Sequence, residues 1–343
     1  MVEGRPWRER ALTLLVALAG LGVALLLGLP LPALFGPMLG CLLAALMGAP
    51  LRGHEPLTTG ARTILGVAVG ASITPAILQD LPAMALSLLV IPFYVAVIGL
   101  VGVPFFRRAC GMDRTTAFYA AMPGGATDMV LFGLEAGGNP RALSLTHATR
   151  VTVIVTLAPV LLWTVYGTSL DRPLGEGARA IPPVEMLLMA AAAVAGLAIG
   201  RGVRLFGAPI LGPLAVTLAL SMAGLIHHRP PSEALQLAQF ILGTAISVHY
   251  RGVTAREMTR TVLAAMAFCV ILAVLAAGVA EAVLLLGLAP PMEAFLAFAP
   301  GGQAEMTILA IVAGADLGYV VAHHLLRLLV VLTLAPLAWR LIR

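Results

Sequence analysis

The chain has 343 residues, of which 60% are apolar and only 11% charged. Soluble domains carry about 25% charged residues, so too little polar surface is present to cover a water-soluble globule, and a soluble enzyme is excluded. The net charge is +5, with 21 basic residues that are all Arg; they sit at the ends of apolar runs, where they read as membrane-orientation signals and not as a nucleic-acid surface.

Apolar runs fall at 11–29, 33–49, 58–75, 82–106, 114–136, 142–167, 182–199, 207–226, 234–248, 261–287, 291–313 and 318–339. Within a bilayer every backbone polar group must be satisfied by the protein itself, which leaves helices or a closed barrel. These runs are too long and too continuously apolar for barrel strands, so an all-α polytopic membrane protein is predicted. Arg5, Arg8 and Arg10 precede the first run in the order of a signal peptide, but that run ends in Leu-Pro-Leu-Pro, so an uncleaved first span is expected. Gly66 and Gly70 form a Gly-x-x-x-Gly, which predicts close helix packing. Gly36-Pro37 and Gly212-Pro213 read as kinks or as helix starts. Cys41, Cys110 and Cys269 are odd in number and far apart, so they suggest neither a disulfide framework nor a zinc site.

Residues 118–159 align without a gap on 295–336, with 15 of 42 positions identical. Pro123-Gly124-Gly125 meets Pro300-Gly301-Gly302, Asp128-Met129 meets Glu305-Met306, and Ala136-Gly137 meets Ala313-Gly314. His147 meets His324, Arg150 meets Arg327, and Ala158-Pro159 meets Ala335-Pro336. Composition alone aligns aliphatic residues but not these, so the chain reads as a duplication. The first repeat is assigned to 1–168 and the second to 182–343, joined by a linker at 169–181.

Charge decides the orientation of the repeats. If all twelve runs cross, the halves are parallel and the connections carry 12 Arg inside and 6 outside. If 114–136 and 291–313 instead enter and return at Pro-Gly-Gly, the second half is inverted and the count becomes 15 inside and 3 outside. The positive-inside rule favours the second arrangement. Two inverted repeats are therefore predicted, with about 10 transmembrane helices, two re-entrant broken helices and both termini cytoplasmic. Pro removes a backbone donor and two Gly permit a sharp turn, which supplies the break.

Charged residues within apolar segments are functional candidates by default. Asp128 and Glu305, with Thr127 and Gln303, lie in the first turn after each break. There they either stabilise a helix N-terminus or hold a proton, Na⁺ or a cationic group. His147 with Arg150, and His324 with Arg327, share a helix face at a spacing of three. The arginines either pair with the acids or grip a substrate carboxylate or phosphate; the histidines either relay protons or pack helices. The adjacent pairs His227-His228 and His323-His324 point about 100° apart on a helix and make poor chelates, so no metal site is expected. Asp316 is read as a helix N-cap, at the position matched by Asn139.

The doubled Pro-Gly-Gly, Glu-Met, Ala-Gly-Ala-Asp, His-x-x-Arg and Ala-Pro pattern resembles the AbrB-type membrane proteins of Gram-negative bacteria. The first copy departs from it, with Asp128 for Glu and Asn139-Pro140 after Gly-Gly. The family carries the labels ammonia monooxygenase and regulator. A copper monooxygenase would need clustered His ligands, which are not found, so no enzyme is expected. The resemblance implies a duplicated multi-pass protein of the bacterial inner membrane. The expected function is secondary transport of a small polar or anionic solute, with H⁺ or Na⁺ as coupling ion and a site where the two breaks meet. The alternative is a membrane-embedded regulator or sensor of gene expression without net transport. No cofactor and no nucleic acid are expected. The partners are the lipid bilayer and the solute, with a homodimer among the candidate assemblies.

Overall fold

The computed structural model describes residues 6–73, 75–168, 170, 172–205 and 207–342; the side chains of 75–81, 127, 304 and 342 lie outside that description. All regular elements among the described residues are helical. The first half carries α1 (Pro6–Leu26), α2 (Pro32–Leu46), α3 (Glu55–Ser72), α4 (Pro75–Cys110), α5 (Arg114–Ala121), α6 (Ala126–Glu135) and α7 (Pro140–Tyr166). The second carries α8 (Pro183–Gly202), α9 (Ala208–Met222) and α10 (Ser232–Val248). A short α11 (Ala255–Glu257) then runs through a π-helical turn at Met258–Val262 into α12 (Leu263–Leu285). The chain ends with α13 (Pro291–Phe298), α14 (Gln303–Ala313) and α15 (Leu317–Ile342). Among the described residues, six helices are long and apolar enough to cross a membrane: Pro6–Leu26, Pro82–Cys110, Pro140–Thr164, Pro183–Gly202, Ala255–Leu285 and Leu317–Leu341. α2 and α9 are apolar but shorter.

The chain forms two compact units, each drawn from both halves of the sequence. The first unit, Met1–Pro75 with Leu170–Val253, is held by close backbone approaches. A Cβ on Gly36 would overlap Gly20 of α1, and one on Gly212 would overlap Gly196 of α8. Gly36-Pro37 and Gly212-Pro213 thus lie inside α2 and α9, at the crossing points, and start neither helix. Gly66 and Gly70 lie against the Ile210 and Leu214 carbonyls of α9, so the Gly-x-x-x-Gly packs helices as expected. Gly243 of α10 lies likewise against Leu34 of α2, and one turn on Ser247 Oγ donates to the Met38 carbonyl at 2.6 Å.

Polar ties close this unit at its ends. Arg251 donates to both Glu9 oxygens, at 2.8 and 3.0 Å, and to the Leu51 carbonyl at 3.0 Å. Elsewhere, Glu185 accepts from the backbone N–H of His227 and His228. The Glu185 carboxylate also bonds the His228 ring at 2.9 Å, which holds that imidazole above its ordinary pKa range.

The second unit, Ala76–Ser169 with Thr254–Arg343, has an aromatic core. Phe106 and Phe268 meet edge to face at 4.8 Å, and Trp339 packs on Phe118 at 5.4 Å. Cys110 Sγ donates to the Arg260 carbonyl at 2.9 Å, and Arg141 pairs with Glu257 at 2.9 Å. Many Leu, Val and Phe side chains on α1, α4, α8 and α12 remain exposed, among them Phe93 and Leu100. Contiguous apolar faces of this kind need lipid or a partner to cover them.

Candidate functional site

Both predicted breaks are present, and both lie in the second unit. α5 ends at Ala121 and α6 starts at Ala126, with Pro123-Gly124-Gly125 between them. α13 ends at Phe298 and α14 starts at Gln303 around Pro300-Gly301-Gly302. The two ends of each broken segment are tied to one another. The Thr116 hydroxyl accepts from the Asn139 N–H at 2.8 Å, and Glu293 Oε1 accepts from the Asp316 N–H at 3.2 Å. Each segment therefore doubles back and returns to where it began. Asn139 and Asp316 then cap the helices that follow, accepting from Ala142 and Tyr319. Gly137 and Gly314, at φ +88° and +72°, end α6 and α14 in the left-handed conformation that suits Gly.

A broken helix leaves carbonyls on one side of the gap and N–H groups on the other without partners. Charged side chains lie at both sides: Arg150, Arg327 and Glu305 are buried and Asp128 is half-buried. Arg150 donates from Nη1 to the Met122 carbonyl at 2.8 Å and from Nη2 to the Gly124 carbonyl at 2.7 Å. Arg327 donates to Ala299 at 2.7 Å and Gly301 at 2.6 Å. His147 Nε2 reaches the Tyr119 carbonyl at 3.1 Å, and His324 Nε2 reaches that of Leu296 at 2.9 Å. A carbonyl only accepts, so each Nε2 carries the proton and each Nδ1 is a lone pair. That of His324 takes a further bond from Arg327 Nη2 at 2.9 Å, whereas that of His147 is buried without a partner. The His-x-x-Arg motif is thus a three-carbonyl clamp on the end of a half-helix. Both histidines thus tie a half-helix end to the long helix that follows the broken segment.

Across the gap the acids fold back. Asp128 Oδ2 lies where a Cβ on Gly125 would sit, and Glu305 Oε2 where one on Gly302 would sit. Gly125 and Gly302 are the N-caps of α6 and α14, so both carboxylates lie at positive helix ends. The first Gly of each pair packs against its Met: a Cβ on Gly124 would meet Met129 and Val331, and one on Gly301 would meet Met306. Sequence reasoning passed over these methionines, although both stood in the aligned motif. Pro123 and Pro300 are buried in the two turns. The side chain of Thr127 lies outside the described residues.

The two breaks are neighbours. Arg150 lies within electrostatic reach of Glu305 and of Arg327, and Tyr94 lies within reach of both arginines. Tyr94 itself donates to the Phe298 carbonyl at 3.0 Å, another tie on the end of α13. The copies differ at the first helical residue after the gap. Where the first has Ala126, the second has Gln303, whose side-chain oxygen and nitrogen are both buried and have no hydrogen-bond partner among the described residues. No group of three or more His, Cys, Asp or Glu among the described residues is placed to hold a metal ion.

Residues 33–343 match the family described as "Transition state regulatory protein AbrB". The chain is 26% identical over 338 residues to a protein of Escherichia coli (strain K12) named "Putative regulator AbrB", covering 95% of this chain and 92% of that one. It is 27% identical over 298 residues to a Bacillus subtilis (strain 168) protein named "Uncharacterized protein YhjN", covering 81% of this chain and 77% of the relative.

Proposed function

This chain belongs to the AbrB family, and we propose that it is a secondary transporter of the bacterial cytoplasmic membrane, moving a small polar solute past the two breaks with H⁺ or Na⁺ as coupling ion. The observation that carries the reading is the pair of doubled-back broken helices, each with a buried Arg at one side of its gap and an acid at the other. Broken helices that meet within inverted repeats are the architecture of many secondary transporters.

Two contacts support the inverted arrangement. With every run crossing, residues 9 and 251 would face opposite sides of the membrane, and so would residues 110 and 260. The Glu9–Arg251 ion pair and the Cys110–Arg260 bond therefore favour segments that return over runs that all cross. Both Nη atoms of each arginine already hold carbonyls, which favours a positioning role over a guanidinium grip on an anion.

Glu305 carries the coupling in this reading. It is 9% exposed and lies near Arg150, so its protonation would change the charge balance of the site. The test is solid-supported membrane electrophysiology on proteoliposomes holding the full chain. Jumps in pH or Na⁺ should drive a current that Glu305→Gln abolishes. Folded, reconstituted protein that passes no current under either gradient rejects transport. The second reading, a membrane-embedded regulator, rests on the name of the E. coli relative; it would gain from a change in gene expression that survives Glu305→Gln.

A further inference from the structure

The arginines and histidines of the two breaks hold backbone carbonyls of the hairpins, so what they leave open matters most. Gln303 is the odd member. It stands at the first turn of α14, two residues before Glu305, and both polar atoms of its carboxamide are shut from solvent and unpartnered. Buried amides nearly always have partners, and one left without calls for an explanation. The duplicated position is Ala126, so the hairpin architecture does not require an amide there. Arg150, 4% exposed and within electrostatic reach of Glu305, likewise keeps its Nε buried and unpartnered while its two Nη atoms hold carbonyls.

We propose that Gln303 is the solute-binding residue of the second hairpin, and that the ligand is an uncharged group presenting a donor and an acceptor side by side: a carboxamide, a ureido group or a protonated carboxyl. This rests on the transport reading and narrows its substrate class. A carboxamide offers one acceptor and two donors in a plane and no charge. It complements another planar amide with two parallel hydrogen bonds, but supplies no counter-charge to an anion or an ammonium. The site is asymmetric: the second break binds, and the first, with Ala126, completes the structure around it.

The test uses the purified full chain in nanodiscs, with acetamide as probe and acetate and methylammonium as its charged counterparts. Acetamide should raise the thermal unfolding midpoint in a concentration-dependent way, and more than either ion. Gln303→Leu should remain folded, with an unliganded midpoint equal to or above that of the parent, because it removes a buried amide that nothing satisfies. Its response to acetamide should fall at least tenfold in apparent affinity. A lowered unliganded midpoint would give Gln303 a structural role and overturn the proposal. So would an undiminished acetamide response in Gln303→Leu, a stronger response to either ion, or no response to any probe, which would leave Gln303 to bound water. Ion-driven currents with no acetamide selectivity would remove this site and keep transport. Selective, Gln303-dependent binding without currents would keep the site and remove transport.

Discussion

Arg150 and Arg327 stand in for the missing turn of a helix. A guanidinium reaches two carbonyls at once because its donors diverge in a fixed plane, and it keeps its charge where a negative helix end favours one. Lysine has charge but no fork, so Arg327→Lys should leave the Ala299 or Gly301 carbonyl, and His324 Nδ1, unsatisfied. A buried acceptor left unpaired costs about 1–3 kcal/mol, and thermal unfolding of the purified variant should show a loss of that order. Unchanged stability would mean that charge alone holds the break. The sequence marked both arginines as intramembrane and repeated, and offered carboxylates as their partners. It did not point to carbonyls, because backbone acceptors carry no residue identity for a motif to reveal. The position of the acids was legible, since their spacing from Pro-Gly-Gly alone places them in the first turn of the half-helix.

The breaks themselves were readable because Pro-Gly-Gly interrupts an otherwise continuous apolar run. Their doubling back was inferred from charge, and local polar ties such as Thr116 to Asn139 accompany it. Helix crossings were half visible. Gly66-x-x-x-Gly70 announced a close approach, whereas Gly243 and Ser247 make an equivalent one with α2 that no glycine repeat marks. The two kinds of glycine should respond differently to a methyl group. At Gly66 the added atom meets the backbone of Ile210, which cannot swing aside, so α3 must move from α9. Overpacking of this kind costs about 1–3 kcal/mol. At Gly302 it meets the far end of the Glu305 side chain, which can turn away. Gly66→Ala should therefore lower the unfolding midpoint more than Gly302→Ala, while Gly302→Ala alters ion-coupled current more than stability. The reverse order in the two assays would mean that the crossing is loose and the acid unimportant.

At the scale of the whole chain, composition pointed to a membrane environment and the self-alignment to a repeat. The compact units were not legible, because each gathers pieces of both repeats and no periodicity records which helices share a core. Span count was only partly legible: continuous apolar runs do not reveal that α2 and α9 are as short as 15 residues. Sidedness is where these levels must agree. In the first unit Glu9 lies with Arg52 and Arg251, and in the second Cys110 lies with Arg260; the Arg excess around these residues predicts a cytoplasmic position for them. The 172–179 connection is then expected outside. Cys41 and Cys269 are buried, so Cys110→Ser provides a quiet background for single added cysteines. In intact cells, a membrane-impermeant maleimide should label Arg179→Cys. It should reach Arg256→Cys only after the membrane is opened. Labelling of Arg256→Cys from outside, with Arg179→Cys protected, would place the second half parallel to the first. The Glu9–Arg251 pair could then not form, and the reading of two facing broken helices would fall with it.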